Sequence, residues 1–264
     1  MCLIFIAINQ HPDYPLIIAG NRDEFYRRPT AALSFWPEQP DILAGRDLEA
    51  GGTWLGVSRS GRIAAVTNYR DPSRTNDNAP SRGLLIRDYL ADNSTPREFF
   101  LANEIRMARC NGFNLIFGDL SSLYYYSNRN EAPPARLPTG LHAVSNHLLN
   151  TAWPKVEKGK AALAALLAEK GPLDVEAVFS ILRDTEKAPD KLLPDTGVGP
   201  VWERLLSSIF IISDIYGTRS TSLITVNNAH EVSFMECTYT PDASGRFAAA
   251  TELIVFQPDG LVAS

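Results

Sequence analysis

Cys2 is the residue of this chain best placed to do chemistry. Initiator methionine is normally removed ahead of a small second residue, and its loss would leave Cys2 carrying a free α-amine. One residue would then hold both a nucleophile and a base. An unassisted thiol, with a pKa of about 8.5, is only a few per cent thiolate at neutral pH. An α-amine with a pKa of about 7.7–8.0 can accept its proton, directly or through water. Cys110 and Cys237 are expected to be buried small residues. Three cysteines so widely spaced suit neither a disulfide framework nor a zinc knuckle.

The elements around Cys2 must bring polar partners to it. Leu3 to Ile8 is a short apolar run rich in β-branched and aromatic residues, which predicts a buried strand. His11-Pro12-Asp13-Tyr14 has turn chemistry, and Pro15 to Ala19 is a second apolar run. An antiparallel hairpin of the two would return Asn21, Arg22, Asp23 and Glu24 to the sheet edge that holds Cys2.

Further along, Phe25 to Gly45 reads as a polar, proline-punctuated connection with one short strand at Ile42 to Gly45. A hairpin follows, with Trp54 to Val57 and Arg62 to Thr67 as its strands. The Gly51-Gly52 pair ahead of it permits a close backbone approach or makes a simple bend. Residues 70–82 and 185–200 are long loops, suited to a partner surface or to lids. Helices are predicted over Gly83 to Ala91 behind a Ser81 cap, and from Pro96 through Met107. Two more are predicted over 154–169 and from Asp174 to Arg183. Further strands are expected at Gly112 to Phe117, Ser122 to Ser127 and Gly140 to Asn146. The last quarter reads as Ile209 to Ser213, Thr218 to Val226, Val232 to Tyr239 and Phe247 to Phe256. Strands in hairpins with helices inserted in pairs predict an α+β layered sandwich of two mainly antiparallel sheets.

The chain has 264 residues, 45% of them hydrophobic, and no linker or repeat divides it, so one domain over 1–264 is expected. A net charge of -5 argues against nucleic acid as a partner. The longest apolar run, Ala161 to Ala168, is too short for a membrane span, and the N-terminus lacks a signal peptide's basic region. A cytoplasmic protein without a bound metal or cofactor is the expectation.

The motifs Met1-Cys2, Asn21-Arg22-Asp23-Glu24, Gly52-Thr53-Trp54-Leu55-Gly56, Thr67-Asn68-Tyr69-Arg70, Ser81-Arg82-Gly83, the segment Gly140 to Lys155 around Ser145-Asn146, and Gly217-Thr218-Arg219-Ser220 occur in this order. The set resembles the NRDE family, also called the transport and Golgi organisation protein 2 family, from the second residue to near the C-terminus. That family is similar in turn to N-terminal nucleophile hydrolases of the choloylglycine hydrolase and penicillin V acylase type. The resemblance implies a four-layer αββα sandwich.

It also implies roles. Cys2 takes the place of the nucleophile, and Asp23 that of the aspartate contacting its amine. Asn68-Tyr69 takes the place of the strand end that gives a backbone N–H to the oxyanion hole, Asn146 that of the side-chain donor, and Arg219 that of a late arginine near the thiol. In those acylases the first-hairpin arginine precedes the aspartate by more than one residue, whereas Arg22 is adjacent to Asp23. Arg22, Trp54, Arg70 and Arg82 are the expected substrate contacts. The implied reaction is hydrolysis of a small-molecule amide or thioester through an acyl-enzyme at Cys2. The alternative is a non-enzymatic haem or acyl-lipid binding or trafficking protein on the same scaffold. For haem, Cys2, His11, His142, His147 and His230 are the candidate ligands.

Overall fold

Strand β1 (Cys2–Ile8) serves two cores at once. Ile4 and Ile6 enter one apolar cluster, and Leu3, Phe5 and Ala7 enter another. Side chains of a strand alternate between faces, so a continuous apolar run is the signature of burial on both sides. The computed structural model describes residues 2–241 and 247–259, without the side chains of residues 2, 241 and 247. Met1 and the Cys2 thiol lie outside the described residues.

Strand β2 (Leu16–Phe25) pairs antiparallel with β1, and the register sets Cys2 opposite Arg22. The expected hairpin is present. The next hairpin was not foreseen: β3 (Thr30–Trp36) and β4 (Gln39–Asp47) run through the proline-punctuated connection. Pro40 falls where the β3–β4 register shifts between Phe35 and Trp36, so its missing N–H interrupts no regular ladder.

The chain continues through β5 (Leu55–Ser58), β6 (Arg62–Asn68), α1 (Arg82–Ala91) and α2 (Pro96–Arg109). Ser81 stands at the N-cap of α1 but makes no side-chain cap bond, whereas Thr95 and Glu98 close a capping box on α2. Next come β7 (Phe113–Asp119), β8 (Leu123–Ser127), β9 (Ala135–Arg136) and β10 (Gly140–Val144). Helices α3 (Pro154–Leu167), α4 (Val175–Leu182) and the short α5 (Pro200–Leu205) precede β11 (Tyr216–Val226), β12 (Val232–Pro241) and β13 (Phe247–Phe256).

Asp174 caps α4 as expected, by accepting from the Ala177 N–H at 2.9 Å. Ile209 to Ser213 is not a strand. The Ile211 N–H donates to Thr218 Oγ1 and its carbonyl accepts from the Thr218 N–H, so this segment is held by local bonds rather than a ladder.

All strand pairs are antiparallel, in a six-stranded sheet ordered β10-β1-β2-β11-β12-β13 and a seven-stranded sheet ordered β3-β4-β5-β6-β7-β8-β9. One core lies between the sheets. A second joins α3 and α4 to the outer face of the first sheet, and a third joins α1 and α2 to the outer face of the second. The layers run α, β, β, α, as expected.

Candidate functional site

At one end of the sandwich, a cavity of about 160 Å³ opens between β2, the loop ahead of β5, the end of β6 and the start of α1. Arg22, Asp23, Trp54, Asn68 and Arg82, all anticipated from sequence, border it. Arg22 is only 5% exposed. Its guanidinium lies over the Trp54 ring at 4.3 Å, and donates to Thr30 Oγ1 at 3.1 Å and to Asp47 Oδ2 at 3.2 Å. A stacked, doubly bonded guanidinium is held in one orientation.

Asp47 also borders the cavity and was missed from sequence. It accepts from Arg28 Nε at 2.6 Å and from the N–H groups of Glu49 and Ala50. Burial pushes its carboxyl up, but the Arg28 hydrogen bond, the Ala50 N–H and the charges of Arg28 and Arg22 outweigh it and hold the carboxyl below the ordinary range. The available signal was its place just ahead of Gly51-Gly52.

Both readings of that glycine pair hold, one for each residue. Gly51, with a φ of 73°, takes the left-handed bend. Gly52 makes the close approach, since a Cβ there would overlap the Gly83 backbone, and the Thr53 N–H donates to the Gly83 carbonyl at 3.2 Å. The β5 loop is thereby seated on the first turn of α1, and Ser81, Arg82 and Gly83 are brought to the cavity wall.

Asp23 is buried at the end of β2, where Thr218 Oγ1 donates to its Oδ1 at 2.7 Å and the Tyr216 hydroxyl donates to its carbonyl at 3.1 Å. Burial pushes its carboxyl up, opposed mainly by the attraction of Lys155. Lys155 closes the Gly140 to Lys155 motif segment, but sequence reading gave it no role at the site, because it opens a helix whose apolar stripe reads as core.

The other expected residues are placed differently. The Tyr69 N–H, expected as an oxyanion donor, instead donates to the Gly112 carbonyl at 2.8 Å, and its ring packs on His147. Asn146 is fully buried, donating from Nδ2 to the Asn68 carbonyl at 3.0 Å while its Oδ1 accepts from Arg70 and Ser145. Arg70, expected as a substrate contact, is buried in a brace: Nη1 donates to Glu203 Oε2 at 2.6 Å, and the guanidinium lies over Trp153.

Arg219 is the extra residue of a β-bulge between Thr218 and Ser220. Its Nη1 donates to the carbonyls of Phe25, Tyr26 and Arg28, and so holds the turn that carries Arg28 to the cavity. Burial, with Arg22 nearby, lowers its pKa. Arg82 donates to the Gly112 carbonyl at 3.3 Å.

The four histidines are dispersed. His11 packs on Tyr14, His142 bonds to the Pro138 carbonyl and Asn150, His147 bonds to Thr151, and His230 is exposed. Among the described residues no group of three or more His, Cys, Asp and Glu is arranged to hold a metal ion, and no helix is long and apolar enough to cross a membrane.

Between the sheets, Glu236 is 1% exposed and accepts from the Leu33 N–H at 3.0 Å and from Ser222 Oγ at 3.1 Å. Burial raises its carboxyl from 4.5 to about 7, against the hydroxyls of Ser222 and Ser220, the Leu33 N–H and Arg22. Because the folded value lies above the unfolded one, the neutral acid favours folding. That contribution is complete below pH 4.5 and is lost as pH rises through about 7. Glu236→Gln keeps the neutral shape at every pH. Urea titrations are expected to show the variant gaining about 3 kcal/mol on the wild type between about pH 4.5 and about pH 8. Parallel pH profiles would contradict a buried acid at this place.

The cavity wall holds three guanidinium groups, Arg22, Arg28 and Arg82, beside three carboxyl groups, Asp23, Glu24 and Asp47, with Asp47 paired to both Arg22 and Arg28. A guanidinium held at such a wall can stabilise a thiolate or a developing oxyanion.

Comparison with known proteins agrees with this architecture. The nematode Caenorhabditis elegans ortholog of N-acylethanolamine-hydrolyzing acid amidase is similar with a TM-score of 0.51 at 14% identity, over 84% of this chain and 92% of that one. The C2A mutant of the conjugated bile acid hydrolase from Clostridium perfringens is similar with a TM-score of 0.50 at 9% identity, over 97% of each chain. At these identities the likeness establishes the fold, that of the N-terminal nucleophile hydrolases.

In sequence, the Transport and Golgi organization protein 2 homolog of Bos taurus is 35% identical over 256 residues, 89% of this chain and 92% of its own. The human homolog is 34% identical over 255 residues, with the same shares covered. The Drosophila melanogaster protein of that name is 28% identical over 263 residues, 91% of this chain and 93% of its own. Residues 1–241 match the family described as Transport and Golgi organisation 2, and the chain belongs to that family.

Proposed function

We propose that this protein is an N-terminal cysteine hydrolase that cleaves an amide or thioester of a small acyl compound through an acyl-enzyme at Cys2. The observation that carries the reading is the backbone register. Cys2 stands opposite Arg22 at the head of β1, and Arg22 borders the charged cavity. The fold likeness to one protein named as an acid amidase and one named as a conjugated bile acid hydrolase supports it.

In this reading Met1 is removed and the α-amine of Cys2 takes the thiol proton. The thiolate attacks the substrate carbonyl, and the carbonyl electron pair moves to oxygen. The tetrahedral intermediate collapses with expulsion of the amine or thiolate, which takes the proton held by the α-amine. Water then attacks the thioester, delivers a proton back through the amine, and releases the acid. Asp23 anchors the α-ammonium, and Arg22 favours the thiolate. Asn68 and Arg82 border the cavity and serve the oxyanion, because the Tyr69 N–H is engaged with Gly112. Asn146 keeps the Asn68 backbone in place.

The test is intact-mass analysis followed by timed alkylation with iodoacetamide and peptide mapping. The expected result is loss of Met1 and fast single labelling at Cys2, with the buried Cys110 and Cys237 unlabelled in the folded protein. Retained Met1, or slow labelling shared among the cysteines, would remove the nucleophile.

A further inference from the structure

Helix α3 stands behind the sheet end that the cavity opens in front of. Lys155, Gly159 and Leu163 recur every fourth residue and so share one face of α3. Gly159 sits against the Phe5 ring, where a Cβ would overlap it, so α3 crosses β1 in direct contact at this point. Leu163 and Val156 join the core that holds Leu3, Phe5 and Ala7.

One turn back along the helix, about 6 Å at 1.5 Å per residue, is Lys155. Two residues along a strand cover about the same distance, and the step runs from the level of Phe5 to that of Leu3, because Lys155 lines a cavity with Ile209, whose carbonyl accepts from Asn21 Nδ2 at 2.9 Å. Leu3 pairs with Asn21, and Asp23 lies two residues further on, one step beyond the Cys2–Arg22 pair. Lys155 is 4% exposed although it is a lysine. A buried ammonium is expensive without a partner of opposite charge. Asp23 lies at that end of β2, on the same face of the strand as Asn21, and Lys155 is the strongest of the influences favouring its carboxylate.

We infer that Lys155 is a positioning residue for Cys2: from the helix side of the sheet its ammonium group holds the Asp23 carboxyl group toward the end of β1 where the nucleophile stands. This rests on the hydrolase reading, and gives a role to a charge at the end of the Gly140 to Lys155 motif segment to which the resemblance assigns none. Thr218 Oγ1 binds one carboxylate oxygen and the Tyr216 hydroxyl binds the Asp23 carbonyl, so the strand side of the carboxylate is already held. Among the described residues, further ionisable groups that feel Asp23 include Glu24 on β2, Tyr26 after it, and Arg70 beyond β6. Around Lys155, the charged groups lining a second cavity of about 110 Å³ are Lys158, Glu186 and Lys187. Lys158 is itself paired with Asp184 and Glu186.

Two measurements on wild type, Lys155→Met and Lys155→Arg test this. The first is the titration of the Asp23 carboxyl carbon by NMR. Its midpoint is expected to rise by about 1–3 pH units in Lys155→Met and to return in Lys155→Arg. The second is the pH profile of Cys2 alkylation by iodoacetamide, whose acid limb is expected to move upward with the Asp23 midpoint. An Asp23 midpoint unmoved in a folded Lys155→Met protein overturns the inference. So does a midpoint that moves while the labelling profile stays, and in that case the nucleophile itself stands. If wild-type Cys2 labels no faster than free cysteine, the hydrolase reading falls and this role falls with it. Should Lys155→Met fail to fold, Asp23→Asn beside Lys155→Arg replaces it. A wild-type labelling profile in Asp23→Asn would overturn the role equally.

Discussion

Cys2→Ala is expected to abolish acyl transfer while the protein remains folded. A simple assay uses p-nitrophenyl acetate. Wild type should release a burst of nitrophenolate matching the enzyme concentration and should gain one acetyl group in mass, whereas the variant should do neither. Loss of a covalent nucleophile in serine proteases costs on the order of 10⁶-fold in turnover, so any residual rate should be that of background hydrolysis. Folding should survive, because the exchange removes one sulfur atom at the head of a strand whose core residues from Leu3 to Ala7 are unchanged. The similar Clostridium perfringens structure is itself that of a C2A mutant, so that fold forms without the thiol. Equal burst and turnover in wild type and Cys2→Ala would end the hydrolase reading, whatever the shape of the cavity.

The second large effect is one of stability. Arg70→Met should destabilise the protein by about 3–5 kcal/mol, because it leaves Glu203 buried without its counter-charge. Both partners of this ion pair are almost fully enclosed. Burial lowers the Arg70 pKa, and the Glu203 charge opposes that shift. Glu203 also accepts from the Thr196 N–H and hydroxyl, while Arg70 donates to Asn146, so the pair ties the 185–200 loop to the end of β6. Denaturant midpoints of Arg70→Met, Glu203→Gln and the double variant should show a coupled pair, with the double variant losing clearly less than the two singles together. Additive losses, or a cost for Arg70→Met under about 1 kcal/mol, would mean that the charges are screened by water.

These two residues mark how far the site could be read in advance. Arg70 lies in a motif beside Asn68, and its type suggests an anion contact. In the folded chain its guanidinium is turned into the protein toward Glu203, a residue far away in sequence on a helix that was not anticipated. Tyr69 is similar: its place in the motif implied a free N–H, and the chain that returns at Gly112 takes that donor. Whether a backbone donor is free depends on what the rest of the chain brings beside it. Asp47, Lys155 and Glu236 were overlooked for the converse reason. Each is an ordinary charged residue until burial and a specific neighbour change what its charge costs.

Local chemistry was sufficient for much of the rest. Strands with a period of two or with continuous apolar runs, the Asp174 cap and the prolines opening α2 and α3 are decided within a few residues of chain, and so are readable there. The β1–β2 hairpin belongs with them, because a short turn determines the register that brings Arg22 opposite Cys2. Pairing over longer distances is different. That β2 runs beside β11, that Gly52 closes on Gly83, and that Lys155 comes up behind Asp23 depend on how two sheets and two helical layers bury their apolar faces together. By itself, the sequence determined most of the hairpins, though not β3–β4, most of the helices and many of the residue types at the site. Tertiary packing alone decided which of their donors and charges face the cavity and which are used to hold it together, because that depends on neighbours contributed by distant parts of the chain.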